Sequence, residues 1–244
     1  MVLKAKPWVL LVVGAFLLTC LVSGVEARKW GVGTFLSYNK PLFSLGDRFS
    51  PVKKYGVSGH FEVNPKLYME MEYHRSKFRN GKIQEAMFTW AVDGEDYLSP
   101  LASSNLSFDS MAMNLLIFYP KEPAFEAKSF SHYIEVGVGF YHYKGETRNL
   151  IYPGQNGIEL PSGEKVLDLS LVLQPQVDQR TSAALNAGYG VQAFVLDNLA
   201  VDIRGRYNLV FGDLRPYHDW GIENKTFPMH LFDIGAGLKF YFWQ

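Results

Sequence analysis

The sequence predicts an all-β protein: an eight-stranded antiparallel up-and-down transmembrane β-barrel with long outer loops and short periplasmic turns. Segments with alternating apolar and polar residues recur along the chain, whereas apolar residues at helical spacing do not. The segments are long enough to cross a bilayer, which takes about 9–11 residues of a tilted strand. The connections between them alternate between long and short, which is the asymmetry of outer-membrane barrels.

The last segment, His230–Gln244, has the clearest alternation. Ile234, Leu238 and Phe240 fall on an apolar face, while Asp233 and Lys239 fall on a polar one. We interpret it as the strand that closes the barrel by pairing with the first segment.

The other seven predicted strands share this period-2 pattern. They are Trp30–Tyr38, Tyr55–Val63, Leu67–Phe78, Leu106–Tyr119, Ser131–Lys144, Thr181–Leu196 and Leu199–Phe211. Turn signals at Asn64-Pro65 and Asp197-Asn198 mark two short connections, the connection after Tyr119 is short to medium, and the other four are long. A periplasmic start then gives four outer loops and three inner turns.

Composition limits the class of protein. The 244 residues are 48% hydrophobic and 15% aromatic, with a formal net charge of zero. A mean hydropathy near zero excludes a helical membrane protein but not a barrel, whose strands average an apolar and a polar face. The balanced charge gives no basic surface for nucleic acid.

Residues 1–27 are predicted to be a cleaved secretory signal peptide, which leaves a barrel domain of residues 28–244. Lys4 and Lys6 precede an apolar run, and small residues follow it. The alternatives are a retained membrane anchor and a lipoprotein modified at Cys20. Because Cys20 is the sole cysteine, the mature chain is predicted to be exported without disulfides.

The alternation alone does not say which face points inward, because a soluble lipocalin-like barrel has the same period and the opposite orientation. Three features favour outward apolar faces. Glycines concentrate on the polar faces, which suits a crowded interior, and the segments have the length of a bilayer crossing. Aromatic residues such as Trp30, Tyr38 and Tyr119 lie near strand ends, as interfacial girdles require.

The predicted interior carries charges of both signs. An eight-stranded barrel is just wide enough to be filled by side chains, and buried charges need partners. We therefore expect ion pairs and a plugged or very narrow lumen. The candidate lumen residues are Glu62, Glu70, Glu72, Glu135, Asp202, Arg204, Arg206, Asp233 and Lys239.

The signal peptide, the eight strands, the stretch VLDNLAVDIRGRYNLVFGD and the terminal GAGLKFYFW resemble the small outer-membrane β-barrel proteins of the OmpA/OmpX/OmpW type. The resemblance implies a Gram-negative cell outer membrane, contact with outer-membrane lipid and lipopolysaccharide, and export by periplasmic chaperones and the barrel-insertion machinery. Such proteins usually end on an aromatic residue, whereas this chain ends Trp243-Gln244. The insertion and closure signal is therefore expected at Leu238, Phe240, Phe242 and Trp243.

Two function classes follow from this resemblance. The first is a structural or surface-interaction barrel with a side-chain-filled lumen, and the alternative is a porin-like, OmpW-like narrow channel for small hydrophobic solutes. A third, a lipid A-modifying enzyme, is disfavoured because Arg206–Leu209 lacks the His and Ser that such enzymes place near the outer end of a late strand. We expect no enzymatic activity, catalytic residue, metal or cofactor.

Overall fold

The computed structural model describes residues 29–90, 92–119, 121–215 and 225–242, so the predicted signal peptide lies outside the described residues. Eight strands form one closed barrel within this part of the chain. They are β1 (Trp30–Leu42), β2 (Val52–Asn64), β3 (Leu67–Gly81), β4 (Ser103–Tyr119), β5 (Phe130–Arg148), β6 (Gln176–Leu196), β7 (Leu199–Val210) and β8 (Met229–Phe242).

Each strand pairs antiparallel with its neighbour in the chain, and β1 pairs with β8 to close the ring. This seam runs from the pair Trp30 and Phe242 to the pair Leu42 and His230. Closure leaves no strand edge with unpaired backbone groups, which is the condition for a sheet in hydrocarbon. The all-β fold class and the seam predicted from the sequence are confirmed.

Connections alternate between the two ends of the barrel as predicted, although the first loop, residues 43–51, is no longer than the β4–β5 connection, residues 120–129. At one end, which we call the turn end, β2–β3 and β6–β7 are joined by two residues each and β4–β5 by residues 120–129. At the other, the loop end, the first loop contains the helix α1 (Phe43–Arg48). The second contains a 3-10 turn (Lys82–Glu85) and a hairpin of Phe88–Thr89 with Asp96–Tyr97, and the third contains a hairpin of Ile158–Glu159 with Lys165–Val166.

The apolar faces of the barrel point outward. Leu36, Phe140 and Ile203 are each about half exposed, at 53%, 52% and 51%, whereas Glu70 and Arg206 point inward and are buried. A lipocalin-like soluble barrel would have the reverse orientation. Among the described residues, no helix combines the length and the hydropathy needed to cross a membrane.

Strands extend further at the loop end than the sequence pattern indicates. β1 continues to Leu42, β5 continues to Arg148, where it is still paired with Ser103 of β4, and β6 begins at Gln176. The outward residues of these extensions, such as Glu146 and Arg148 of β5 and Gln179 of β6, no longer form an apolar row. Period-2 hydrophobicity therefore ends before the strands do, and the predicted long loop was too long.

Inward-facing glycines let the crowded lumen close, which gives a testable contrast. A Cβ at Gly188 would lie 2.7 Å from the Gly205 carbonyl oxygen and 3.2 Å from the Arg206 Cα, whereas a Cβ at outward-facing Gly59 would meet nothing within 4 Å. We expect Gly188→Ala to lower the free energy of unfolding by about 1–3 kcal/mol, because neighbouring backbone must move. The matched Gly59→Ala change should stay within about 0.5 kcal/mol. Urea unfolding of the refolded protein in vesicles measures both, and equal effects would contradict the packing described here.

Candidate functional site: the barrel lumen and its mouth

The middle of the lumen is a buried layer of charged side chains. They come from five strands and include carboxylates and cations in nearly equal number. The carboxylates are Glu70, Glu72, Glu135, Asp202 and Asp233, and the cations are Lys54, Arg204, Arg206 and Lys239. We call this set the charge layer. Eight of its nine members are among the predicted lumen residues, and the structure brings those eight together.

Arg206 links opposite walls of the barrel. Its strand, β7, and the strand of Glu72, β3, lie four strands apart in a ring of eight. The guanidinium binds the Glu72 carboxylate through two nitrogens, at 2.6 and 2.9 Å, and also donates to Glu135 at 2.8 Å. This bidentate geometry is the strongest form of carboxylate recognition. The side chain thus crosses the centre of the lumen.

Arg204 makes a second crossing towards the turn end. Its Nη1 lies 2.7 Å from Glu70 Oε1, and its Nε lies 3.3 Å from Asp202 Oδ2. Lys239 of β8 lies 2.9 Å from Asp202, whose carboxylate also accepts a hydrogen bond from Tyr133 at 2.7 Å. Each charge in this half of the layer therefore has a partner of opposite sign, as burial requires.

Lys54 is the member that sequence reasoning missed. Its ammonium group pairs with Asp233, which also accepts a hydrogen bond from Asn208 at 2.8 Å. The alternation does indicate an inward position, because Lys54 lies two and four residues before the inward-facing Gly56 and Ser58. The prediction began this strand at Tyr55 and so excluded it.

Three other titratable side chains lie around the charge layer. His74 Nδ1 lies 2.6 Å from Glu72, and His60 Nδ1 lies 3.6 Å from Glu70. Glu62 was a predicted lumen residue, but it lies outside the layer at the turn end, where it accepts a hydrogen bond from the Tyr68 hydroxyl at 3.1 Å. It therefore does not take part in the central ion pairs.

Apolar side chains close the lumen above the charge layer, at the loop end. Phe78, Leu106 and Phe108 point inward and are fully buried. Leu45 and Phe49 of the α1 segment pack onto them from above. The sequence predicted a polar filling, but the inward positions of β3 and β4 become apolar towards the loop end.

Aromatic rings close the turn end. Tyr68 packs against Phe118 with ring centroids 5.4 Å apart, and Phe118 packs against Tyr133 at 5.3 Å. Phe125, from the connection between β4 and β5, reaches Tyr241 at 5.1 Å. The lumen is therefore filled by three successive layers: apolar, charged and aromatic.

A cavity of about 270 Å³ lies at the mouth, above the apolar layer. Phe49, Ile83 and Leu214 give it apolar surface. Charged groups also line it, among them Lys82 and Asp178, and Asp178 is paired with Arg180 outside the lining, at 2.9 Å. The cavity therefore presents both apolar and charged surface to a small molecule.

The long loops pack on one another beside this cavity. Phe88, Leu150 and Ile151 are buried in a single cluster with residues of the second and third loops. Tyr97 packs against this cluster, and the Trp90 ring lies 6.2 Å from the ring of Tyr152, centroid to centroid. At the exposed hairpin tip, the Tyr97 hydroxyl donates to Asp93 at 2.6 Å, and this hydrogen bond lowers the pKa of the Asp93 carboxyl.

The predicted insertion and closure residues lie on the outer face of β8. Leu238 is 50% exposed, Phe240 is 37% exposed, and Phe242 stacks on Trp30 of β1 with ring centroids 4.2 Å apart. Trp243 lies outside the described residues. The aromatic stack at the seam is a fact of the structure, while recognition of these residues during insertion stays a prediction.

Two places in the sequence put a histidine next to a serine or an aspartate, namely Ser131-His132 and His218-Asp219. Ser131 is buried on the inner face of β5, whereas the adjacent His132 points outward and packs near Tyr189. The residues 218 and 219 lie outside the described part of the chain. Among the described residues, no group of three or more His, Cys, Asp or Glu side chains is arranged to hold a metal ion.

Comparison with protein-family models gave no match, and comparison with curated proteins gave none either. Solved structures that are similar include Neisserial surface protein A (14% identity, TM-score 0.46, covering 88% of this chain and 99% of that one). They also include the outer membrane protein OprG from Pseudomonas aeruginosa (11%, 0.44, 88% and 96%) and the outer membrane protease OmpT from Escherichia coli (9%, 0.44, 89% and 97%).

At these identities the likeness concerns the fold alone. Strand count, closure of β1 on β8 and the outward apolar face are read from the chain itself. The fold is that of the small eight-stranded outer-membrane barrels. One fold can carry many unrelated functions, so this fold does not decide between an enzyme and a binding protein.

Proposed function

We propose that the chain is an outer-membrane barrel that is closed to solutes and acts as a structural and surface-interaction protein through its loop end. The observation that carries this proposal is the pairing of Arg206 with Glu72 across the full width of the lumen. The predicted signal peptide, the apolar exterior and the closed sheet support placement in the membrane.

The charge layer supports closure on energetic grounds. Its carboxylates and cations are desolvated and are stabilised by one another, so opening a path would require several ion pairs to separate together. The apolar layer above and the aromatic layer below would have to move as well. A filled lumen matches the width expected for eight strands.

The loop end supports a binding role. The clustered second and third loops form a packed platform, and the mouth cavity opens beside it. Binding sites are commonly carried on loops that a rigid scaffold positions. We infer that a ligand or partner is held at this end without passing through the barrel.

A narrow channel for small hydrophobic solutes is the second candidate, and the mouth cavity is the observation that favours it. Phe49, Ile83 and Leu214 would accept an apolar group. Phe49 and Leu214 are also part of the apolar layer that fills the lumen below, whereas Ile83 belongs to the packed loops. Entry is therefore compatible with the structure, whereas passage needs a rearrangement of all three layers.

Planar-bilayer recording of refolded residues 28–244 separates the two candidates. We expect a baseline without reproducible conductance steps, because the ion pairs of Arg204 and Arg206 span the lumen. Heat-denatured protein added at the same concentration is the control for detergent and lipid leakage. Reproducible unitary steps from the folded sample alone would contradict the closed-barrel proposal.

A further inference from the structure

Outward-facing cations gather on three adjacent strands at the loop end. Lys40 lies on β1, Lys53 on β2, and three more on β3, and all are exposed. We call this surface the cationic patch; its residues are Lys40, Lys53, Arg75, Lys77 and Arg79. They stand on the outer wall of the barrel and not on the loops.

A row of outward tyrosines lies directly beneath the patch. On β1, β2 and β3, Tyr38, Tyr55 and Tyr73 are 52%, 56% and 46% exposed. Two residues from each tyrosine, in the direction of the loop end, a basic residue projects from the same face of the strand. These basic residues are Lys40, Lys53 and Arg75. Interfacial tyrosines lie at the headgroup level of a membrane, with the hydrocarbon on one side. The cations therefore stand at the height of the lipid headgroups.

Strand pairing brings these positive charges close together. Tyr38 is opposite Lys53, and Tyr55 is opposite Arg75, so Lys53 is offset by two residue positions from Lys40 and from Arg75. Positions directly opposite or diagonal in a sheet are about 5–8 Å apart. Like charges at this spacing repel, unless an anion lies between them.

The outer wall supplies little compensation within the described residues. Arg75 pairs with Asp109 at 3.3 Å, an acid on the neighbouring strand β4. For Lys40, Lys53 and Lys77 the described residues include no ion pair of this kind, although Glu146 lies close enough to Lys77 to feel its charge. The patch as a whole thus carries an excess of positive charge facing the membrane surface.

The opposite rim of the barrel is different. Exposed charges at the turn end have both signs: Lys66, Lys121, Glu122, Glu126, Lys128 and Asp197. On the same rim, the rings of Trp30 and Phe242 face outward and stack on each other. The positive excess is therefore confined to the loop end, which the proposed orientation places at the outer leaflet.

We propose that the cationic patch binds the phosphate groups of lipopolysaccharide in the outer leaflet. This inference rests on the proposed membrane placement and adds a partner to it. Each basic residue at a membrane surface attracts anionic headgroups, and several on one face act together. The hydrocarbon chains of the same lipid lie against the apolar wall below the tyrosines.

The test compares the thermal stability of folded protein in phosphatidylcholine vesicles with and without added lipopolysaccharide, read as the temperature at which the heat-modifiable gel band shifts. The patch variant is Lys40→Gln/Lys53→Gln/Lys77→Gln. The matched control, Lys66→Gln/Lys121→Gln/Lys128→Gln, removes the same charge from the turn end. Dephosphorylated lipopolysaccharide and phosphatidylglycerol are added in parallel arms.

We expect lipopolysaccharide to raise the transition temperature of the wild type and the control variant alike. For the same rise in transition temperature, the patch variant should need a lipopolysaccharide concentration at least about tenfold higher. Dephosphorylated lipopolysaccharide should raise the transition temperature of the wild type only slightly. Equal responses of the two variants would overturn the assignment of the site. Equal protection by phosphatidylglycerol would overturn the choice of lipopolysaccharide as the partner.

The two proposals fail in different ways. A wild-type chain that does not fold into phosphatidylcholine vesicles contradicts the membrane barrel itself. A wild-type chain that folds there, but gains no stability from lipopolysaccharide, contradicts the cationic patch and leaves the closed barrel standing.

Discussion

Replacement of Arg206 by Met is expected to lower the free energy of unfolding by about 3–5 kcal/mol, the cost of leaving buried charges without their partner. The Arg206 guanidinium holds both Glu72 and Glu135, and all three side chains are buried. Methionine has a comparable length and no charge, so the loss comes from uncompensated carboxylates more than from an empty space. Urea unfolding in vesicles, followed by tryptophan fluorescence, measures the change.

Arg75→Gln is the matched control on the outer wall. Arg75 also pairs with a carboxylate, Asp109, but the two side chains are 50% and 36% exposed. Exposed ion pairs contribute about 0–1 kcal/mol, so this variant should unfold close to the wild type. The triple variant Arg206→Met/Glu72→Gln/Glu135→Gln should recover part of the lost stability. If the Arg206→Met protein were as stable as the Arg75→Gln protein, the proposal that buried ion pairs hold the lumen closed would be contradicted.

Replacement of Leu238 by Arg is expected to block insertion or to cost about 2–4 kcal/mol, the range for a cation on the lipid face near the middle of the bilayer. Leu238 is half exposed and lies on the outer face of the closing strand, opposite Thr34 of β1. The described residues directly opposite, Thr34 on β1 and Val201 on β7, offer the guanidinium no carboxylate. Loss of the heat-modifiable folded band from membrane extracts is the readout.

Leu101→Arg controls for the chemical change itself. Leu101 lies in the second loop and is 58% exposed, slightly more than Leu238. If every exposed residue of this protein were in contact with water, an arginine would be tolerated equally at positions 101 and 238. Normal folding of both variants would contradict an outer face in lipid, whereas selective failure at Leu238 follows from the proposed placement.

The architecture could be predicted from the sequence because one physical constraint acts along the whole chain. Every strand that faces lipid on one side and side chains on the other must alternate, so Ile234 and Asp233 already indicate opposite faces. The positions of the turns and loops between the strands add the predicted orientation of the barrel in the membrane. This accounts for the strand number, the seam between β1 and β8 and the outward apolar surface.

The features that the sequence pattern did not predict lie where this constraint ends. Above the apolar band, β5 and β6 continue with polar outward residues, so nothing in the alternation marks them. Phe78 and Phe108 are inward but apolar, and only their position over the charge layer explains them. Lys54 was excluded by a strand boundary placed one residue too late for it. Loop packing such as that of Trp90 on Tyr152 depends on contacts that are distant in sequence.

The central claim, an apolar outer face in lipid and a filled polar interior, is tested most directly by photolabelling from the membrane. Refolded protein is placed in vesicles that contain a lipid with a diazirine in its acyl chain, and carbene insertion is mapped along β8 by mass spectrometry. The account predicts modification at Ile234, Ala236 and Leu238 and none at Asp233 or Lys239. Modification of Asp233 and Lys239, or a β8 strand that remains unlabelled throughout, would contradict it.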